Sequence, residues 1–288
     1  MPSAAEILQQ IVNGTVIGSV YVLIALGLTV IFGILGVAHF AHGSVAMFGG
    51  YLTFWISQKY GLSLYPAMIL AIPFGAALGV ILELFAYRPV RNAAPINAFI
   101  VALGLTMVVD RLNMLLFGPD QLVIRTPYNG VYEIGSIAVS ELRIQVVVVT
   151  VVMLCLIGYL ISHTSAGRAV RAVAQNPYAA TLMGIDVNWI SLLIFAVSSA
   201  LGVVAGALIG ALLALAPGVG ENLVIKGFAI LILGGLGSIP GAIIGGLTLG
   251  ISEALAAGLL SSAYKDVIAF MIMIIVILLR PQGLLGRK

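Results

Sequence analysis

The chain has 288 residues, 61% hydrophobic and 8% charged, with a mean hydropathy of +1.19 and a formal net charge of +3. A soluble domain carries about 25% charged residues to solvate its surface, so this composition excludes one, and so small a net charge argues against nucleic acid as a partner. The single cysteine, Cys155, excludes an internal disulfide and any multi-cysteine metal cluster, and within its apolar run it reads as a packing residue.

A bilayer core about 30 Å thick takes roughly 20 apolar residues per helix. The N-terminus, Met-Pro-Ser-Ala-Ala-Glu, lacks the basic region of a signal peptide, so the first span, residues 11–35, is expected to be retained. Further spans follow at 39–57, 62–87, 95–117, 142–161 and 189–216. Next come a short apolar run at 223–236, an interruption at Gly237-Ser238-Ile239-Pro240-Gly241, and final spans at 242–260 and 267–279. The expected fold is all-α and polytopic, with eight to nine transmembrane helices, some of them broken or half helices, in a single transmembrane domain over residues 1–288. A loop at 118–141 alternates apolar and polar residues over 131–139 and predicts a small hairpin.

Basic residues near span ends set orientation. With the C-terminal Arg280, Arg287 and Lys288 in the cytoplasm, nine crossings also bring Arg88, Arg91, Arg168 and Arg171 inside. They leave Lys59, Arg125, Arg143, Lys226 and Lys265 outside. Eight crossings would move the N-terminus to the other side. An internal echo favours nine. Gly27–Gly36 resembles Gly227–Gly237, and Tyr87-Arg88-Pro89 is matched later by Leu279-Arg280-Pro281, as a duplicated three-span unit would leave them.

The most informative segment lies between the fifth and sixth spans. From Gly167 to Asp186 it is polar and alanine-rich, with Asn176-Pro177 predicting a turn between two short helices and Gly184 a helix end. The second helix would carry Ala179, Ala180 and Met183 on one stripe. Two uses fit equally from spacing alone: docking in another protein's groove, or resting on the lipid surface with Arg168 and Arg171 as anchors.

His39 and His42 are unusual polar residues beside a span end. The stretch Ala-His-Phe-Ala-His-Gly is expected to break the helix, with the imidazoles hydrogen-bonding there; lining a solute path comes second and metal binding a distant third, since no other ligand lies near in sequence. Gly234–Gly241 has two readings. It is a mid-membrane break that exposes backbone to solute, or a close helix contact through Gly237, Gly241 and Gly245, which is favoured, as it is for Gly202, Gly206 and Gly210. Glu83 with Arg88, and Asp110 with Arg111, are expected to pair structurally, while Glu253 has no partner nearby in sequence.

Four stretches carry a family resemblance. They are Gly167–Asp186; Phe40-Ala41-His42-Gly43 leading into Met47-Phe48-Gly49-Gly50-Tyr51-Leu52; Leu233–Ala242; and Arg280-Pro281-Gln282-Gly283-Leu284-Leu285-Gly286. In this order they resemble the branched-chain amino-acid ABC permeases, the smaller of their two permease types. The chain departs from that family at His39, where Asn is usual. The resemblance implies a second permease subunit, commonly a heterodimer, two cytoplasmic ATP-binding subunits and an extracytoplasmic solute-binding protein, in a bacterial cytoplasmic (inner) membrane. It favours docking of the 167–186 segment on the ATPases, through Arg171, Gln175, Asn176, Pro177, Ala179, Ala180, Met183 and Gly184. A solute path is expected near His39, His42, Gly43, Gly235, Gly237 and Ser238. No G-x-x-x-x-G-K-[ST] loop is present, so ATP is hydrolysed by partners, and neither cofactor nor metal is expected. Urea or amide transport, ion-coupled secondary transport and a membrane-embedded enzyme are the alternatives.

Overall fold

The computed structural model describes residues 3–91, 93–128, 130–135 and 137–286; Arg287 and Lys288, counted above for orientation, lie outside them. α1 (Ala4–Leu35) opens with a capping box, Ser3 Oγ accepting from Glu6 N at 3.2 Å and Ser3 N donating to Glu6 Oε2 at 2.9 Å, and ends at Gly36 with φ +67°. After an irregular stretch comes α2 (His42–Tyr60), then α3 (Leu64–Leu82) with Pro73 inside it. A π-helical turn (Glu83–Tyr87) carries α3 into the single turn of α4 (Arg88–Val90). α5 (Pro95–Phe117) and α6 (Glu141–His163) flank the predicted hairpin, whose strands β1 (Val131–Ile134) and β2 (Ile137–Ser140) pair antiparallel in the register Val131↔Ser140. Two short helices, α7 (Ser165–Gln175) and α8 (Pro177–Leu182), precede α9 (Val187–Leu212). The chain closes with α10 (Val219–Gly234), α11 (Ile239–Leu259) and α12 (Lys265–Leu279).

Each apolar segment read from the sequence has its helix, including the short run at 223–236 that separates eight crossings from nine. Among the described residues, seven helical stretches are long and apolar enough to cross a membrane. The other two are α2, diluted by glycines, Ser44 and Lys59, and α10, which has 16 residues.

Glycine seams hold the centre. Where α1 crosses α11, Gly14 and Gly18 face Gly246 and Gly250; a methyl on Gly14 would meet Gly250 O at 2.8 Å, and one on Gly18 would meet Gly246 O at 2.9 Å. At the α2–α9 crossing a methyl on Gly50 would meet Gly206 O at 2.7 Å, and a Cβ on Gly206 would overlap Ala46 O. Small residues at four-residue spacing let backbones touch, which multiplies dispersion contacts where lipid gives no hydrophobic drive. The expected packing role holds for Gly202, Gly206 and Gly210 and for Gly241 and Gly245, which meet Gly234 and Ile230. Gly237 is different: with φ +77° it lies in the α10–α11 turn, against Gly33. That contact, two residues from the end of α1, puts the interruption at the edge of the bundle.

Depth follows from the same contacts. His42 lies against Gly27 and Ser198. Gly27 is about 12 Å before the end of α1, and Ser198 about 16 Å after the start of α9, at 1.5 Å per residue. The second predicted span therefore starts as a helix at His42, inside the bundle, after a non-helical rise.

Two buried ion networks correct the charge count. Lys226, expected outside, is within α10, 2.8 Å from Glu253 and 3.0 Å from Asp266, with the Tyr21 hydroxyl 2.9 Å from Glu253. Glu253 thus has the partner its sequence neighbours did not supply. Glu83 pairs with Arg88 at 3.1 Å, as expected, and also with Arg91. The expected Asp110–Arg111 pair is not formed: successive residues on a helix diverge by about 100°, and Arg111 turns to the Met114 sulfur at 3.5 Å.

Candidate functional site

One end of the bundle gathers several arginines and the 167–186 segment. Arg91 donates to Asn188 at 3.0 Å at the start of α9, and Arg88 and Arg91 border a recess with Pro177 and Tyr178. The ends of α1 and α10 lie there too. A second recess of about 470 Å³ runs between Gly33, Arg171, Gln175 and Gly237. The N-terminus of α1 is at the opposite end, where Gln9 exchanges hydrogen bonds of 3.0 and 3.1 Å with Ala138 of the hairpin.

The α7–α8 pair forms a cap at the arginine-rich end. Thr164 Oγ1 accepts from Gly167 N at 2.9 Å and starts α7. Gly167 touches the carbonyls of Leu160 and Ile161, so any Cβ would collide as α7 folds back over α6. Arg171 donates to Ile161 O, satisfying a carbonyl left open at the end of α6. Gly167, Val170 and Val173 are buried at three-residue spacing, so the apolar face of α7 is used by its own bundle.

The predicted turn is present between the helices. Asn176 caps α8, its Oδ1 accepting from Ala179 N at 3.0 Å, and Pro177 takes the first helical position. Gly184, with φ +82°, ends the helix, and Asp186 caps α9 through Asn188 N at 2.8 Å. The proposed stripe needs correction. Ala180 is buried, while Tyr178, Ala179, Leu182 and Met183 are exposed together. A helix resting on a bundle presents i, i+1, i+4 and i+5 outward, and Tyr178 and Leu182 at four-residue spacing were the missed signal.

The residues expected along a solute path fall into two groups, His39, His42 and Gly43 around the start of α2 and Gly235, Gly237 and Ser238 in the α10–α11 turn. His39 Nδ1 lies 2.8 Å from the Tyr87 hydroxyl and His42 Nδ1 3.5 Å from Ser198 Oγ; the rings are 5.7 Å apart, and both residues are fully enclosed. The helix break with hydrogen-bonded imidazoles is thus as expected, and among the described residues no group of three or more His, Cys, Asp or Glu could hold a metal. Gly43 crosses Gly220 of α10 backbone to backbone. Ser238 Oγ caps α11, accepting from Gly241 N at 3.1 Å. Gly235, with φ +104°, meets the C-terminal tail, where Leu284 N donates to Leu233 O at 2.8 Å and Leu285 N to Gly234 O at 3.0 Å. Two distant motifs, Leu233–Ala242 and Arg280–Gly286, thus form one joint.

The family described as branched-chain amino acid transport system / permease component matches residues 10–277. The permease protein BraD of the high-affinity branched-chain amino acid transport system of Pseudomonas aeruginosa is 38% identical, over 100% of this chain and 98% of its own length. LivH, the corresponding permease protein of Escherichia coli, is 37% identical over 97% of this chain and 96% of its own. Among solved structures, PsaBC from Streptococcus pneumoniae in complex with Fab is a looser likeness, with a TM-score of 0.44 and 15% identity over 96% of this chain and 91% of that one.

Proposed function

We propose that this chain, which belongs to the family of branched-chain amino acid transport system permease components, moves leucine, isoleucine or valine across the cytoplasmic membrane as one permease subunit of an ABC importer. It is a transport subunit and not an enzyme. ATP is hydrolysed by two cytoplasmic partners, a second permease subunit completes the path, and an extracytoplasmic binding protein delivers solute. All nine long helices cross, α2 and α10 with their starts inside the layer. The end bearing Arg88, Arg91, Arg168, Arg171 and Arg280 is cytoplasmic, in keeping with the excess of basic residues there, and the hairpin beside the α1 N-terminus is outside.

The observation that carries this reading is the outer face of α8. Tyr178 and Leu182 of this six-residue helix and Met183 at its C-cap are 75%, 71% and 82% exposed, while Ala180 rests on the bundle. Such an apolar face at the basic end fits a groove of the ATPase, a helix-in-groove contact, with Gln175 and Asn176 at its edge and Gly184 ending it. Closure of the ATPases then moves α8, and through Asp186 moves α9, which packs on α1, α2 and α3. Ala180 seats the helix from below.

Reconstituted with its partners in vesicles, the permease should take up leucine only with ATP inside the ATPase compartment, and a protonophore should not stop it. Ala179→Trp and Met183→Glu should each leave the permease folded while co-purification of the ATPases falls by about tenfold or more, as loss of about 1.4 kcal/mol of contact implies. Normal uptake by both variants would remove α8 from coupling; uptake that needs an ion gradient and no ATP would instead favour a secondary transporter.

A further inference from the structure

Asp110 and Arg111 stand in α5, a helix whose most apolar stretch is only 17% buried. Asp110 is seven residues before Phe117, about 10 Å along the axis from that end of the helix. Ionisable side chains at such depth are costly against lipid and line water-filled cavities or pair with one another. Asp110 is half-buried, has no ion-pair partner among the described residues, and opens on a recess of about 290 Å³. The recess is bounded by Met47 and Tyr51 of α2, Asp110 and Asn113 of α5, and Gly218 and Glu221 at the start of α10.

Asn113 carries the argument beyond a pair of carboxylates. It is 3% exposed; its Nδ2 donates to Ser44 O at 3.1 Å, but its Oδ1 has no donor. A buried acceptor left open is costly, so a ligand that brings a donor relieves it. The opposite wall has the complementary need. α10 starts at Gly218 with no side-chain cap, Glu221 being the acidic residue of its first turn, and first-turn N–H groups at a helix start favour an anion. Arg111 borders the same recess.

We propose that this recess holds the zwitterionic head of the transported amino acid. The ammonium brings three N–H donors, and Asp110, Glu221 and Asn113 Oδ1 offer three acceptors. The carboxylate lies toward the start of α10 and Arg111, and the aliphatic side chain against Met47, Met107 and Met114, whose flexible thioethers adapt to leucine, isoleucine or valine. This rests on the transport reading above. α10 begins beside the recess, which α2 borders with Met47 and Tyr51.

The test uses the assembled transporter in vesicles of phosphatidylglycerol and phosphatidylcholine, which lack lipid primary ammonium groups. Met114→Cys in a Cys155→Ala background is reacted with cationic ethylammonium and anionic ethylsulfonate methanethiosulfonates, each rate taken relative to free cysteine. The cationic reagent should be favoured by about tenfold, as a focused negative potential requires, and that preference should collapse in Asp110→Asn. L-Leucine at millimolar concentration should slow the labelling; 4-methyl-2-oxopentanoate, which lacks the ammonium, should not. Protection that appears only when phosphatidylethanolamine is added would assign the recess to lipid and overturn the proposal, as would equal rates for the two reagents or equal protection by the oxoacid. In uptake, Asp110→Asn and Glu221→Gln should lose roughly tenfold or more with assembly retained, while Asp110→Glu recovers transport. Should Asp110→Asn fail to assemble, Glu221→Gln, at an exposed position, decides the matter. A wild-type transporter that selects the cationic reagent yet takes up no leucine would refute the transport reading and leave the charge selectivity of the recess standing.

Discussion

α1 and α6 are nearly indistinguishable by hydropathy, 2.4 against 2.7 over their most apolar stretches, yet 72% of that stretch is buried in α1 and 17% in α6. α9 resembles α1, at 72%, and α12 lies at the other extreme, at 6%. In water, apolarity alone would draw a helix inward; in lipid it cannot, because the tails are as apolar as leucine. What separates the two groups is side-chain size along one face. α1 offers Gly14, Gly18 and Gly27 and α9 offers Gly202, Gly206 and Gly210, each against backbone or a side chain of a neighbouring element. Gly158 of α6 has nothing within 4 Å of where its Cβ would be.

The contrast is broken most severely at the α1–α11 seam. Gly250→Leu would drive a side chain into the backbone of Gly14 and Gly18, and no rotamer escapes a backbone. The expected outcome is loss of folded protein, beyond the usual 1–3 kcal/mol of overpacking, read as the absence of a monodisperse peak on size exclusion. A folded Gly250→Leu variant would mean that the seam is not required.

A smaller effect separates charge from packing. Glu83 is fully buried beneath Arg88 and Arg91, and Arg91 also donates to Ser191 Oγ at 2.6 Å, tying the π-helical turn to α9. Glu83→Gln leaves two cations without their counter-ion and should cost about 3–5 kcal/mol, the range for breaking a buried pair. The thermal midpoint of the purified protein should fall, and the combined change of Glu83→Gln with Arg91→Gln should recover part of the loss. No recovery would indicate that Glu83 acts alone.

At the low end lies Gly158→Leu. With open space around it, the substitution should change stability by no more than about 0.5 kcal/mol, measured by the same thermal midpoint in detergent. If it is neutral there but abolishes co-purification of the second permease, α6 belongs to the subunit interface.

Much of the plan was legible in the sequence because it rests on local chemistry. Apolar runs bounded by polar breaks read as helices, and each of them has one. Asn176-Pro177 and Gly184 gave the ends of α8, since a cap, a proline ring and a positive φ act over four or five residues. Alternation over 131–139 gave the hairpin, and the four motifs gave the family. What the sequence could not give was which of these pieces meet. Lys226 and Glu253 are far apart along the chain and looked like a flanking cation and an isolated carboxylate; helix crossing joins them, with Asp266, in one network. Ala180 looked like part of a docking stripe, but the seat of α8 on the bundle decides which side of a six-residue helix is outward. Asp110 looked paired with its neighbour Arg111, but helical geometry points the two apart, and the placement of α2 and α10 opens a recess before it. Hydropathy and caps are properties of a segment and can be read from it. Burial, ion pairing and the direction of a helix face depend on distances between segments, and in this protein those distances are set by where glycine lets two backbones touch.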